Sequence, residues 1–175
     1  MDPQPTPQLQ ENSCDAILDT AKTLYNDEID RFKQVEAKTG ITLGFVGVIL
    51  GVFITYIGTS KLQMDVVPYV VYSYFFRLSI IALLTASSIK LINAIKVGSF
   101  QQIDINNIVD EDFAKERPAK VKLDIAATYQ ETINQNSEKI DEKNDNYNVG
   151  LNLMMYGFVL FIVYIILEEI IKNAR

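Results

Sequence analysis

Histidine is missing from this chain of 175 residues, and cysteine occurs once, as Cys14. A Cys–His catalytic pair or a histidine-based zinc site needs an imidazole, and an internal disulfide needs a second thiol. No Gly-x-Gly-x-x-Gly or Gly-Lys-Ser/Thr loop is present to cradle a phosphate, and no activated nucleophile stands out. No catalytic, cofactor-binding or metal-binding residue is therefore expected, and the chain reads as non-enzymatic. Its net charge of −6 argues against a broadly basic surface for nucleic acid, so no nucleic-acid partner is expected. The opening MDPQPTPQLQENS lacks the basic region and cleavage site of a secretory signal, and residues 1–12 read as a disordered tail.

What the chain does have is hydrophobicity gathered into blocks. Residues 41–57, ITLGFVGVILGVFITYI, carry no charge. As a helix they cover roughly 26 Å, close to a hydrocarbon core of about 30 Å. A second block runs from Val66 to Ile95, interrupted only by Arg77 and Lys90, and a third is LNLMMYGFVLFIVYIIL, from Leu151 to Leu167. The expected fold is an all-α integral membrane protein with three transmembrane helices. A hairpin at 40–95 holds spans at about 41–57 and 67–90, and a third span at 150–167 precedes a tail at 168–175.

Basic residues set the expected orientation, because short basic segments stay in the cytoplasm. Segment 1–40 carries Lys22, Arg31, Lys33 and Lys38, and segment 96–149 carries seven more, from Lys96 to Lys143. The 58–65 loop has only Lys61, and the tail has Lys172 and Arg175 beside Glu168 and Glu169. The N-terminus and the middle segment are thus expected inside and the C-terminus outside.

Two cytoplasmic helices are expected. Over residues 13–39, with Ser13 as N-cap, Leu18, Ala21, Tyr25, Ile29, Phe32 and Val35 form one stripe, with Asp27–Arg31 and Asp30–Lys33 as ion pairs. After an irregular loop at 96–119, a second helix at 120–149 places Ala126, Ile133, Ile140 and Tyr147 in one row and Tyr129, Asn136 and Lys143 in the next. These rows make a heptad seam of coiled-coil type, suited to the N-terminal helix or to a second copy. The acidic cluster Asp110, Glu111 and Asp112 lacks the glycine and terminal glutamate of a calcium loop and reads as a solvated turn.

In the first span Gly40, Gly44, Gly47 and Gly51 share a face that suits close helix packing. Arg77 sits in the second block with no acidic residue inside any span. If Ile57 and Val66 are level, Arg77 lies opposite Val46 and Gly47, roughly 16 Å deep, where a charge costs at least about 2.5 kcal/mol. Three readings stand: an interfacial anchor of a span at 78–95, a buried polar contact fixing helix packing, or a charge lining a pore. Asp65, Glu168, Glu169, Ser73 and Tyr74 are the expected acceptors. Ser79, Thr85, Ser87 and Ser88 are expected to bond locally to the backbone.

The arrangement of EAKTGITLGFVGVILG, a second span, and EKNDNYNVGLNLMMYGFVLFIVY, with Lys38 and Lys143 just before the first and last spans, resembles small bacterial antiphage membrane effectors of the Pycsar and SLATT type. The resemblance implies a bacterial inner-membrane protein that lies quiet until a nucleotide signal or protein partner triggers oligomerisation and membrane damage. Two functions follow as expectations. One is a homo-oligomeric effector, assembled through the glycine face and the 126–147 seam, that permeabilises lipid membranes. The other is a non-catalytic anchor or accessory subunit whose cytoplasmic helices dock a protein partner.

Overall fold

The computed structural model describes residues 10–60, 67–103 and 115–173. The expected tail up to residue 9, Lys61 and Asp65 in the hairpin loop, the cluster Asp110, Glu111 and Asp112, and Arg175 lie outside the described residues. Among the described residues three helices make up the fold: α1 (Glu11–Thr59), α2 (Val67–Lys96) and α3 (Pro118–Asn173). Each is long and apolar enough to cross a membrane. A helix satisfies its own backbone hydrogen bonds, which hydrocarbon demands of any spanning segment. The chain is an all-α, multi-pass membrane protein.

Helix ends follow local chemistry. The Gln10 carbonyl accepts from the Ser13 and Cys14 amides at 3.1 and 3.2 Å, so Ser13 lies inside the first turn instead of capping it. In α3, Arg117 plays the same part toward Lys120 and Val121, and Pro118 opens the helix where its missing N–H costs nothing. Past the end of α2, Gly98 adopts a φ of 25°, a left-handed conformation that favours glycine.

The chain divides into two compact units. The apolar unit comprises Val35–Val97 and Glu142–Arg175. On α2 its buried positions are Ser73, Arg77, Ile80, Leu84, Ser87, Leu91 and Ala94. On α3 the covered positions include Lys143, Gly150, Gly157, Phe161, Tyr164 and Glu168. Steps of three and four alternate, averaging the 3.5 residues per turn of left-handed helix packing. Val46 and Phe53 of α1 meet Ile80, Leu84 and Leu91 of α2 and Phe161 and Tyr164 of α3 in the core. Phe53 meets Phe161 edge-on at 4.9 Å, and Tyr56 meets Tyr164 at 6.0 Å. Pairs on α1 and α3 rise in number together, so these helices run parallel.

Helix α2 runs antiparallel to α3, and glycine sets how closely. A Cβ on Gly150 would lie 2.8 Å from Leu91 Cγ, and one on Gly157 would lie 2.9 Å from Leu84 Cδ2. Real Cβ atoms do not approach that closely, so each glycine is a socket for a leucine. Ser87 donates to the Gly150 carbonyl at 2.7 Å, across the helices and not locally as its sequence context indicates. Ser88 does bond within its own helix, to Leu84. On the outside, Phe45, Val48, Val71, Phe75, Leu78 and Tyr156 are exposed, the apolar girdle that lipid covers.

The polar unit comprises Met1–Gln34 and Gly98–Asp141. Tyr25 of α1 packs edge-on against Tyr129 of α3 at 5.4 Å, and Phe100 lies against both Tyr25 and Phe32 at 5.6 and 5.5 Å. Lys122 bridges from α3 to Asp15 and Glu11 of α1 at 2.6 and 3.2 Å. Arg31 pairs with Glu28 at 2.6 Å and Asp141 at 3.7 Å, in place of the expected Asp27, while Lys33 meets Asp30 at 4.0 Å.

Candidate functional site

Near the end of the apolar unit where α1 finishes and α2 starts, the three helices bring polar side chains into an aromatic setting. Arg77 is 7% exposed, and Ser73, Tyr164 and Glu168 are buried at 0%, 0% and 1%. Each belongs to the heptad face of its helix, so the repeat that builds the core also carries these groups inside. Arg77 Nε donates to Tyr164 Oη at 2.8 Å, and Nη2 donates to Ser60 Oγ at 2.6 Å. The guanidinium carbon stands 5.9 Å from the Tyr164 ring centroid. Ser73 Oγ bonds Tyr164 Oη at 2.7 Å and donates to Glu168 Oε1 at 3.2 Å, while Tyr69 Oη donates to Glu168 Oε2 at 2.7 Å. A cation and an anion are thus joined through two hydroxyls, with α2, α3 and Ser60, just past the end of α1, contributing.

Arg77 does not lie opposite Gly47. The pairings of Leu91 with Gly150, Leu84 with Gly157 and Tyr56 with Tyr164 set Arg77 level with Tyr56, and its side chain, leaning toward its own N-terminus, reaches past the end of α1 to Ser60. Of the expected acceptors, Ser73 and Glu168 belong to the cluster, whereas Tyr74 is 54% exposed. Tyr164, Ser60 and Tyr69 were not expected. The signal for Tyr164 was present: the row Tyr129, Asn136, Lys143, continued by sevens, reaches Gly150, Gly157 and Tyr164.

A second buried cation lies on that row. Lys143 is 0% exposed, and its Nζ donates to Glu36 Oε1 of α1 at 2.9 Å and to the Ile95 carbonyl at the end of α2 at 3.4 Å. An ammonium there also complements the negative end of the α2 dipole. Along α3, Lys143 and Tyr164 are three heptads apart, about 31 Å. That matches the hydrocarbon thickness of about 30 Å. The two cation clusters bracket a slab as deep as a bilayer core.

Gly40, Gly44, Gly47 and Gly51 stand apart from both clusters. Among the described residues, a Cβ at any of them would meet nothing within 4 Å, so this face is open to them. Of the seam residues, Ala126, Asn136, Ile140 and Lys143 are buried, and Tyr129, Ile133 and Tyr147 are half-buried. The Asn136 side chain pairs with both backbone groups of Gln101, accepting from its N–H at 2.8 Å and donating to its carbonyl at 2.9 Å.

A family model described as the Pycsar effector protein domain, PycTM, matches residues 20–168, all of α2 and most of α1 and α3. The chain matches no curated protein and no solved structure. With most of its length under that one family model and three span-length helices, the chain belongs to the PycTM family of Pycsar effector domains, a membrane effector of antiphage defence.

Proposed function

We propose that the protein is a non-catalytic, homo-oligomeric effector of the bacterial inner membrane that permeabilises the bilayer when a nucleotide signal or protein partner triggers it. Its N-terminus and polar unit face the cytoplasm, in keeping with the lysines and arginines of segments 1–40 and 96–149. The observation that carries this reading is the polar cluster of Arg77, Ser73, Tyr164 and Glu168, all buried between membrane-spanning helices. While the helices stay together, these groups satisfy one another. When the helices part, a guanidinium and a carboxylate lose partners in hydrocarbon, and water must enter to solvate them. Arg77 therefore lies in or beside the permeation path. The open glycine face of α1 offers the close approach on which neighbouring copies pack.

The test is expression in bacteria with a membrane-potential dye. Wild-type protein is expected to depolarise the cells, and Arg77→Leu to alter the extent or speed. An unchanged potential, with or without phage challenge, overturns the proposal.

A second reading has its own observation. The polar unit holds a groove of about 650 Å³ whose lining includes Ile17, Leu24, Leu123 and Ala127. An apolar groove between two helices suits a partner's helix, as an anchor or accessory subunit requires. In that case Ile17→Asp and Leu24→Asp abolish partner capture and leave the membrane potential of expressing cells unaffected throughout.

A further inference from the structure

The hydrogen bonds between Arg77 and Glu168 have a direction. An arginine can only donate and a carboxylate can only accept, so both ends of the series are fixed. Tyr164 Oη accepts from Arg77 Nε at 2.8 Å. Ser73 Oγ carries a single hydrogen, and the bond to Glu168 Oε1 at 3.2 Å takes it. The 2.7 Å bond between Ser73 and Tyr164 therefore uses the tyrosine hydrogen. Arg77, Tyr164 and Ser73 all donate toward Glu168, and Tyr69 Oη adds a second donor to the carboxylate at 2.7 Å. Bonds aligned in one sense polarise one another, so the series is strongest with a negative charge at its accepting end.

A proton on Glu168 undoes that order, because the protonated oxygen becomes a donor and a poor acceptor. On Oε1, it makes Ser73 either lose its acceptor or turn its hydrogen back toward Tyr164, which already accepts from Arg77. On Oε2, it deprives Tyr69 of its acceptor. Ser73, Tyr164 and Glu168 are buried, where a polar group left over is costly. Tyr69, Ser73 and Arg77 belong to α2, and Tyr164 and Glu168 to α3. Each of these bonds thus ties α2 to α3, and weakening the series loosens that pair.

Glu168 is also the group here whose charge answers to mild acid. Among the described residues, the titratable or charged side chains around it are Tyr56 of α1, Tyr69, Tyr72 and Arg77 of α2, and Tyr164 and Glu169 of α3. Tyrosines stay neutral and arginine stays charged between about pH 4 and pH 8. Glu169 is exposed and is met by Lys172 at 3.3 Å, so its protonation leaves the buried bonds as they are.

We propose that Glu168 is a proton-operated switch: by taking one proton from water, it releases α2 from α3 and opens the path beside Arg77. Ionised Glu168 holds the closed arrangement, and the hold is lost as the pH falls. The switch rests on the reading of the protein as a permeabilising effector, and it names what governs the opening.

The test uses the full chain with Cys14→Ala and with Leu78→Cys and Val159→Cys, exposed positions on α2 and α3, carrying spin labels. The protein is placed in vesicles of phosphatidylethanolamine and phosphatidylglycerol, with the same buffer on both sides. That buffer is set to about pH 7.5 or about pH 4, well above and near the ordinary glutamate value. Helix separation is read from the distance between labels, and leakage from release of an entrapped dye insensitive to pH. Acid is expected to lengthen the distance and to speed leakage about tenfold, the factor given by one hydrogen bond to a charged group. Glu168→Gln, neutral at every pH, is expected to show the acid behaviour in neutral buffer and no further change on acidification. Glu169→Gln is expected to keep the full acid response. An unchanged distance in acid, a response that survives in Glu168→Gln, or one lost in Glu169→Gln overturns the switch. If Glu168→Gln fails to fold, judged by its helical circular dichroism, Ser73→Ala decides. It cuts the series between Glu168 and Tyr164 and is expected to flatten the acid response, whereas a full response overturns the switch. Acid-dependent separation without leakage supports the switch and overturns the permeabilising function. Leakage that ignores both pH and Glu168 does the opposite.

Discussion

Two tyrosines in the apolar unit give opposite predictions for the same substitution. The Tyr164 hydroxyl serves Ser73 and accepts from Arg77, so Tyr164→Phe keeps the ring and strips a buried guanidinium of a partner. A loss of roughly 2–3 kcal/mol is expected in denaturant unfolding of the micelle-bound protein. The Tyr72 hydroxyl is buried with no hydrogen-bond partner among the described residues. Tyr72→Phe is therefore expected to be neutral or stabilising by about 1 kcal/mol, because it removes an unsatisfied polar atom. A matching loss in both variants would break the link between these bonds and stability. Arg77 was conspicuous from sequence because charge is rare in a hydrophobic run, and Ser73 and Glu168 were within its estimated reach. Its depth was misplaced because the hairpin count set Ile57 level with Val66, whereas the helix contacts put Arg77 level with Tyr164 and Tyr56, about nine residues from Gly47.

At the scale of the helix, glycines that look alike in sequence have different surroundings. Gly150 and Gly157 admit Leu91 and Leu84, whereas Gly44 and Gly47 face open space. Gly157→Leu is expected to wedge α2 from α3 and cost about 1–3 kcal/mol, visible as lost protection of α2 amides in hydrogen exchange. Gly44→Leu and Gly47→Leu are expected to leave that protection intact while lowering the assembled fraction, measured by crosslinking in membranes. The periodicity made all three helices legible, but it could not say which glycine face meets the chain itself, since small residues suit either partner. In the polar unit, the hydrogen bond from Lys122 to Asp15 raises the lysine pKa above its ordinary value. A raised folded-state pKa means the stabilisation is complete below the unfolded lysine value and disappears as the pH climbs through the folded one. Lys122→Met is thus expected to lower the melting temperature of the polar unit equally at pH 6 and pH 8, with the difference from wild type fading only in strong alkali.

For the whole molecule, the spacing of Lys143 and Tyr164 predicts where the bilayer begins and ends. Single cysteines placed at exposed positions between these levels, such as Val48, Leu78 and Val159, are expected to resist a membrane-impermeant maleimide in resting vesicles. Thr23 and Glu138, exposed in the polar unit, are expected to react. Rapid labelling of Leu78→Cys before any trigger would contradict a closed resting state. The interlock between α2 and α3 bears on how such a state opens. Leu84 and Leu91 sit in sockets a heptad apart, and Arg77 follows one heptad further. Sliding α2 by a single turn would carry each leucine out of its glycine notch and against a full side chain. A slide of about 10.5 Å seats one leucine in a glycine notch again but sets the other against Lys143 or Tyr164. The pair behaves as a ratchet with widely separated teeth, so partial axial slippage finds no resting place. Opening must proceed by hinging or lifting α2 away, and a population of half-slid intermediates is not to be expected.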